Sequence, residues 1–320
     1  MSILTESEGL PPLGELALAR TRMDRGCDRR ARPGLLEEIW GAATTSVMLM
    51  SSARTLVRGN KIVLLPSEGR PLPASAVYLG RAVPGADVPA GTDIVLEILE
   101  APEEAGLSAA DDGDWLGLRE VAADVSAQDA GLFVEAAAIS NWHASHTHCP
   151  LCGTPTRPEQ GGWVRRCPSD NSEHFPRTDP AIIVSVLDEQ DRILLGHNKS
   201  WPVGRYSTLA GFVEPGESLE AAVIREVEEE SGVLVQSPQY MGSQPWPFPA
   251  SLMLGFTATA VRTDLTPDGV EISDVRWFSR EELADGIESG EVRVAPGISI
   301  ARALIEHWYG GPLPEPRAWQ

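Results

Sequence analysis

At 320 residues the chain is long enough for two or three domains, and its 42% hydrophobic and 22% charged content is ordinary for a folded globular protein. A formal net charge of −20 excludes general attraction to nucleic acid or anionic lipid, so an anionic ligand has to be met by local cations or bound metal. No apolar run nears the ~20 residues needed to cross a bilayer, the first residues lack the basic and apolar regions of a signal peptide, and four cysteines do not make a disulfide scaffold. The expectation is a cytoplasmic protein with no membrane partner.

Residues 1 to about 35 are polar, rich in Arg, Gly and Pro, and weakly periodic, which predicts a loosely ordered start. Short apolar runs follow at 45–50, 61–65, 76–79 and 93–99, separated by turn residues. They predict the strands of a small sheet, with no catalytic constellation among them. From Ser126 to about Ala144 the pattern is helical, with Ser126 as N-cap and Asp129 at the third helical position. Together these elements predict a mixed α/β domain over residues 1–145.

The next stretch, C-P-L-C-G, sets Cys149 and Cys152 two residues apart before a glycine, and Cys167 follows the turn residues Gly161, Gly162 and Trp163. That spacing predicts a small zinc-ribbon-like module over residues 146–177, whose knuckle can present thiolates to structural Zn²⁺. Asp170 stands where a fourth thiolate is expected. Asp170 or His174 can supply the fourth ligand, and His143, His146 and His148 remain open. The competing reading is a ribbon that keeps its fold without metal. Cys27 is too remote in sequence to assign. Arg157, Arg165 and Arg166 give the ribbon local positive charge, which serves either a nucleic-acid role or a solvated surface.

Residues 178–312 predict a catalytic domain. Pro180 opens a core strand at 181–187, with 192–195 as its hairpin partner across Glu189, Gln190 and Asp191. Residues 251–261 predict a central strand and 275–278 another. Ser279 and residues 281–286 begin a short helix, 298 to about 309 form an amphipathic one, and 313–320 are a loose Pro-rich tail. Between these elements lies G-F-V-E-P-G-E-S-L-E-A-A-V-I-R-E-V-E-E-E-S-G-V at 211–233. Its start is a loop, Ser218 an N-cap, and Gly232 a C-cap. Glu226, Glu229 and Glu230 share an arc of roughly 100° on the helix. Such a cluster is costly unless cations sit on it, and carboxylate-rich oxygen sites suit Mg²⁺ or Mn²⁺. Taken alone, the glutamates read as a solvated acidic face with Arg225 as counter-ion.

At every fixed point, from Gly211 and Glu217 through Arg225, Glu226, Val227, Glu229, Glu230, Gly232 and Val233, the stretch resembles the Nudix box. The resemblance implies an α/β/α sandwich and a hydrolase for a nucleoside diphosphate linked to a further group. Beyond the box stands S-Q-P-W-P-F-P-A-S at 243–251. Its three prolines exclude a regular central strand and hold Trp246 and Phe248 rigidly enough for a flat ring to stack. Alone it reads as an aromatic–proline packing corner. After a Nudix box it resembles the array that marks the NADH pyrophosphatase, or NudC-type, branch. The upstream ribbon and the downstream A-P-G-I-S-I-A agree, so the resemblance covers residues 149 to about 309.

That branch implies cleavage of the pyrophosphate of NADH or NAD to nicotinamide mononucleotide and AMP, removal of NAD caps from RNA, and a homodimer. Carried over position by position, Phe212 and Trp246 flank the nicotinamide. Gln244, Ser251 and the Ala301 backbone line the substrate site, Phe175 edges the pocket, and Glu217 ties loop to helix. Glu226, Glu229 and Glu230 bind the catalytic metals, and Glu271, or alternatively Asp274, completes the shell. Glu230 or Glu271 handles the attacking water while Arg225 fixes the glutamate rotamers. The alternatives are a Nudix hydrolase of ADP-ribose or another dinucleotide, and a module that senses a nucleotide without cleaving it. The sensor is disfavoured because every box glutamate is present.

Overall fold

The computed structural model describes residues 11–107 and 113–316, and its contacts divide the chain into two units. One takes in the start of the chain to Ala19, then Asp179–Pro245, then the chain from Ser251 onward. The other is Arg20–Thr178 with Trp246–Ala250. The ribbon groups with the residues before it, where the Trp163 indole donates to the Tyr78 carbonyl at 2.7 Å. Among the described residues no helix is long and apolar enough to cross a membrane.

In the Asp179 unit the central strand Asp179–Leu187 is buried along almost its whole length, as a continuous I-I-V-S-V run requires. It pairs parallel with Ser251–Ala260, and antiparallel with Ile193–Asn198 and Leu209–Phe212. Val235–Trp246 and Ile272–Phe278 lie at the two ends of this sheet. Strand periodicity then sorts the core into two layers. Ile182, Val184, Val186 and Leu194 pack with Val223 and Val227 of the Leu219–Ser231 helix. Ile183 faces Ile300 and Leu304 of the Ile300–Tyr309 helix, while Ile193 and Leu195 meet Leu283 of the Arg280–Ser289 helix and Ile305. The result is the expected α/β/α sandwich.

Two expectations need correction here. The polar start is not loose from residue 11 onward: the Leu13 amide donates to the Met241 carbonyl at 3.0 Å, and Leu16 is buried against Ile183. Leu313, the first residue of the expected tail, is also buried, beside Trp308. Residues 1–10 and 317–320, the outer parts of both stretches, lie outside the described residues. The proline-rich array does avoid a central position. Ser243–Trp246 end the edge strand, where missing N–H donors cost least, and 247–250 turn back into the next strand.

In the Arg20 unit the strands Thr45–Ser51 and Asp93–Leu99 pair parallel at the middle of a mixed sheet. Asp93 is buried beneath Arg29 (2.7 Å), Arg81 (2.9 Å) and the Tyr78 hydroxyl (2.8 Å). The Ala127–Ser145 helix starts at Ser126, whose hydroxyl accepts from the Asp129 amide at 3.1 Å. This helix buries Glu135, whose Oε1 has no partner and whose nearest ion-pair contact is Arg25 at 3.6 Å. Burial outweighs Arg25 and Arg30 and pushes this carboxyl up to about 7.

That burial has a signed consequence. A carboxyl raised in the folded state stabilises the fold fully below its unfolded value, and the contribution is lost as pH rises through about 7. Glu135→Gln does not titrate. Its melting temperature, set against wild type, should therefore improve between pH 5 and pH 8, by up to about 3 kcal/mol of relative stability. Thermal melts of the two proteins that run parallel across this range contradict the assignment.

Candidate active site and ribbon cluster

The box loop and helix are joined by one guanidinium. Arg225 donates Nε–H to Glu217 Oε1 at 2.8 Å, and from one terminal nitrogen to Glu217 Oε2 at 2.9 Å and the Phe212 carbonyl at 3.0 Å. Its other terminal nitrogen meets Glu226 Oε1 and Glu229 Oε2, both at 2.9 Å. Five acceptors thus meet the five N–H donors of an arginine. Arg225 holds the Glu217 carboxyl down to about 2, helped by the Glu214 amide. The same pairs raise Arg225 further above its ordinary range.

Glu226 and Glu230 lie deeper. Burial pushes Glu226 up against the pull of Arg225. Glu230 is 7% exposed, and its Oε2 has no partner. Burial first, then the charges of Glu226 and Glu271, push it up to about 8, with the Ala210 amide pulling the other way. Gly211 explains how Glu226 reaches its place. A Cβ on Gly211 would stand 2.0 Å from the Glu226 carboxyl carbon, so only glycine leaves room.

The donor set fits a hard divalent cation by its chemistry: carboxylate oxygens, one of them buried and unpartnered, beside a glycine that clears the approach. The glutamates are nonetheless spread, because Arg225 takes Glu226 and Glu229 to itself. Glu271 is exposed, and its amide donates to Asp268 at 3.2 Å. Asp268 was not singled out in the sequence, although the D-G that opens its turn was the available signal. It accepts from the amides of Val270, Glu271 and Ile272, which hold it below the usual carboxylate range despite slight burial, and its charge adds to the rise of Glu230. Asp274, the alternative to Glu271, instead accepts from the Tyr206 hydroxyl.

The substrate-lining candidates fall into two groups. Phe212 and Phe175 are exposed, at 57% and 61%, while Trp246 and Ser251 are half-buried. Gln244 and Ala301 are buried, and each spends an N–H within the fold while the Gln244 side-chain oxygen has no partner. The Gln244 amide donates to the Ile298 carbonyl at 3.0 Å, and the Ala301 amide donates to the Ser299 hydroxyl at 3.2 Å. In this arrangement Gln244 is a brace for the 298 loop, and the Ala301 N–H is spent on a helix cap.

In the ribbon, Cys149, Cys152, Cys167 and Asp170 bring one ligand atom each to within 4.8 Å of one another, the only such group among the described residues. Two tight turns present them. The Gly153 amide closes on the Cys149 carbonyl at 2.9 Å, and the Asn171 amide on Cys167 at 3.0 Å. Three thiols and a carboxylate are a four-coordinate donor set of the kind Zn²⁺ takes. The histidines lie outside this group of four. His174 meets the Ser172 hydroxyl at 3.1 Å, and His143 lies between the Gly162 carbonyl (2.8 Å) and Arg165 (3.0 Å), with burial pushing it down to about 4. His146 and His148 meet the neighbouring hydroxyls of Ser145 and Thr147, each at 2.9 Å. The basic-surface idea also loses ground, since Arg165 is buried on Thr156 and Arg166 pairs with Glu159 and Glu173.

Comparison with known proteins follows the same division. Residues 176–296 match the NUDIX domain model, and residues 144–175 match the NADH pyrophosphatase zinc ribbon domain model. The human NAD-capped RNA hydrolase NUDT12 is 45% identical over 193 residues, covering 57% of this chain and 42% of that protein. The chain therefore spans less than half the length of that relative. The NAD-capped RNA hydrolase NudC of Mycobacterium bovis is 40% identical over 273 residues, covering 81% of this chain and 83% of that protein. Among solved structures, a NUDIX hydrolase from Nitrosomonas europaea is 22% identical, with a TM-score of 0.42 over 52% of this chain and 95% of that one.

Proposed function

The chain belongs to the Nudix hydrolase family, in its NADH pyrophosphatase branch, and from that membership we propose that it cleaves the pyrophosphate of NADH or NAD to nicotinamide mononucleotide and AMP. The same cut removes an NAD cap from the 5′ end of RNA. The names of the human and mycobacterial relatives support that extension. We propose a cytoplasmic homodimer as the working form. The observation that carries the reading is Glu230: a buried carboxylate with an unpartnered oxygen, on the box helix, among Glu226, Glu271 and Asp268.

Phosphoanhydride hydrolysis needs charge neutralisation and an aligned water. Glu226, Glu229 and Glu230, with Glu271, would hold Mg²⁺ or Mn²⁺, which when bound would supply that neutralisation and a more acidic water. Glu230 or Glu271 would orient the attacking water or take its proton. Arg225 keeps the glutamates in register from the side away from the chemistry. The family resemblance implies that Phe212 and Trp246 flank the nicotinamide ring, that Gln244, Ser251 and the Ala301 backbone line the substrate site, and that Phe175 edges it. Zn²⁺ on Cys149, Cys152, Cys167 and Asp170 is structural, because the cleaving carboxylates are on another module.

Product analysis with NADH, NAD, ADP-ribose and NAD-capped RNA side by side, in Mg²⁺ or Mn²⁺, tests the reading. Nicotinamide mononucleotide and AMP are expected from NADH. Trp246→Ala should cost NADH about 5- to 150-fold in kcat/KM, the worth of ~1–3 kcal/mol of ring stacking, and cost ADP-ribose far less. Equal losses on both substrates make Trp246 a packing residue and favour the ADP-ribose alternative.

For the ribbon, elemental analysis should find about one zinc per chain. Cys152→Ser should lower stability, with activity falling only as far as folding does. Protein prepared without chelator that carries no zinc makes the ribbon a metal-free module held by packing around Trp163.

A further inference from the structure

The corner that carries Trp246 is held by two residues that the sequence did not single out. Asn141, on the Ala127–Ser145 helix, donates from Nδ2 to the carbonyls of Pro247 and Pro249, both at 3.0 Å. That pins the turn between the two strands. Trp246 and Phe248 then meet edge to face, with centroids 5.0 Å apart and planes at 66°. Arg119, on the short Leu118–Val121 helix, lays its guanidinium 4.1 Å from the Phe248 centroid and 5.4 Å from that of Trp246.

Arg119 is exposed, and among the described residues no carboxylate forms an ion pair with it. The adjacent Glu120 is taken by Arg54 at 3.2 Å. Among the described residues the charge therefore has no carboxylate partner, and two aromatic rings lie beneath it. A cation on a ring face is attracted by the ring quadrupole, which fixes Arg119 where it stands. A second ring stacked on the opposite side of Trp246 would lie about 9 Å from the guanidinium, at ordinary stacking separation. At that range a unit positive charge on the incoming ring still feels the arginine, whereas a neutral ring does not.

We propose that Arg119 is a specificity-determining residue: its unpaired charge, acting through Trp246 and Phe248, favours the neutral dihydronicotinamide of NADH over the cationic ring of NAD and of NAD-capped RNA. The inference rests on the placement of the nicotinamide at Trp246 given above. Arg119, Asn141 and Trp246 are on one chain, so the effect does not depend on which protomer's glutamates cleave the bond. Arg119 is not among the residues placed above at the diphosphate or the attacking water, and its action is on the choice of substrate.

The test uses the full chain and compares kcat/KM for NADH, NAD and ADP-ribose. Arg119→Met keeps an unbranched stem over the rings and removes the charge. It should reduce the preference for NADH over NAD by about three- to tenfold, the effect of one unit charge at this distance in a partly solvated site. Arg119→Lys keeps the charge and should hold the preference within about twofold of wild type, while ADP-ribose, which lacks the ring, reports any general damage. Arg119→Gln repeats the neutral case if methionine unsettles the fold. A ratio unmoved by both neutral variants, or moved as far by lysine as by methionine, overturns the inference alone. Wild-type protein that cleaves neither NADH nor NAD overturns the proposed function, and this inference with it.

Discussion

Five N–H donors on one guanidinium set the geometry of this site. Glu226, Glu229 and Glu230 sit within one turn of a helix, and like charges that close repel unless something holds them. Arg225 holds two of them, together with both oxygens of Glu217 and the carbonyl of Phe212. The same contacts fasten the loop to the helix. Lysine has three donors and no planar fork, so it cannot replace this arrangement. On the proposed function, the acidic chain would meet an anionic diphosphate through a locally organised set of charges rather than through its net field.

What Arg225 leaves out is as telling. Glu230 is buried behind it with one oxygen unpartnered, and it resists ionisation first because it is buried and then because its neighbours are also carboxylates. Leaving a buried oxygen unsatisfied costs roughly 1–3 kcal/mol. Such a cost persists at a site whose purpose lies in a bound cation or a moving proton. Gly211 serves the same end from the strand side by leaving the space that the Glu226 carboxyl fills.

Much of this was legible in the sequence, and for stated reasons. The box helix has a cap at each end and a fixed spacing of charges, so its residues 219–231 were readable within a position or two. Strands with period-two burial were readable as well. The hidden features share one cause: they depend on contacts between residues far apart in the chain. Asp268 reaches Glu230 from a loop, Gln244 turns inward to Ile298, and Arg119 and Asn141 reach across more than a hundred positions to the proline corner. The three-cysteine pattern left its fourth partner open, and only the folded turns bring Asp170, not a histidine, to the thiols. Leu16 and Leu313 were hidden because a polar or Pro-rich stretch can still bury a single leucine.

The central claim is that the carboxylates of this one helix turn, held in register by Arg225, carry out the cleavage. It is tested most directly by the rate at which Glu230→Gln hydrolyses NADH in Mg²⁺ or Mn²⁺, with folding verified by circular dichroism. The substitution replaces the carboxyl oxygen that would hold a cation or take a proton at nearly constant shape, so the account predicts a folded protein slowed about 10²- to 10³-fold, or ~3–4 kcal/mol of barrier. A folded variant within a few-fold of the wild-type rate contradicts it.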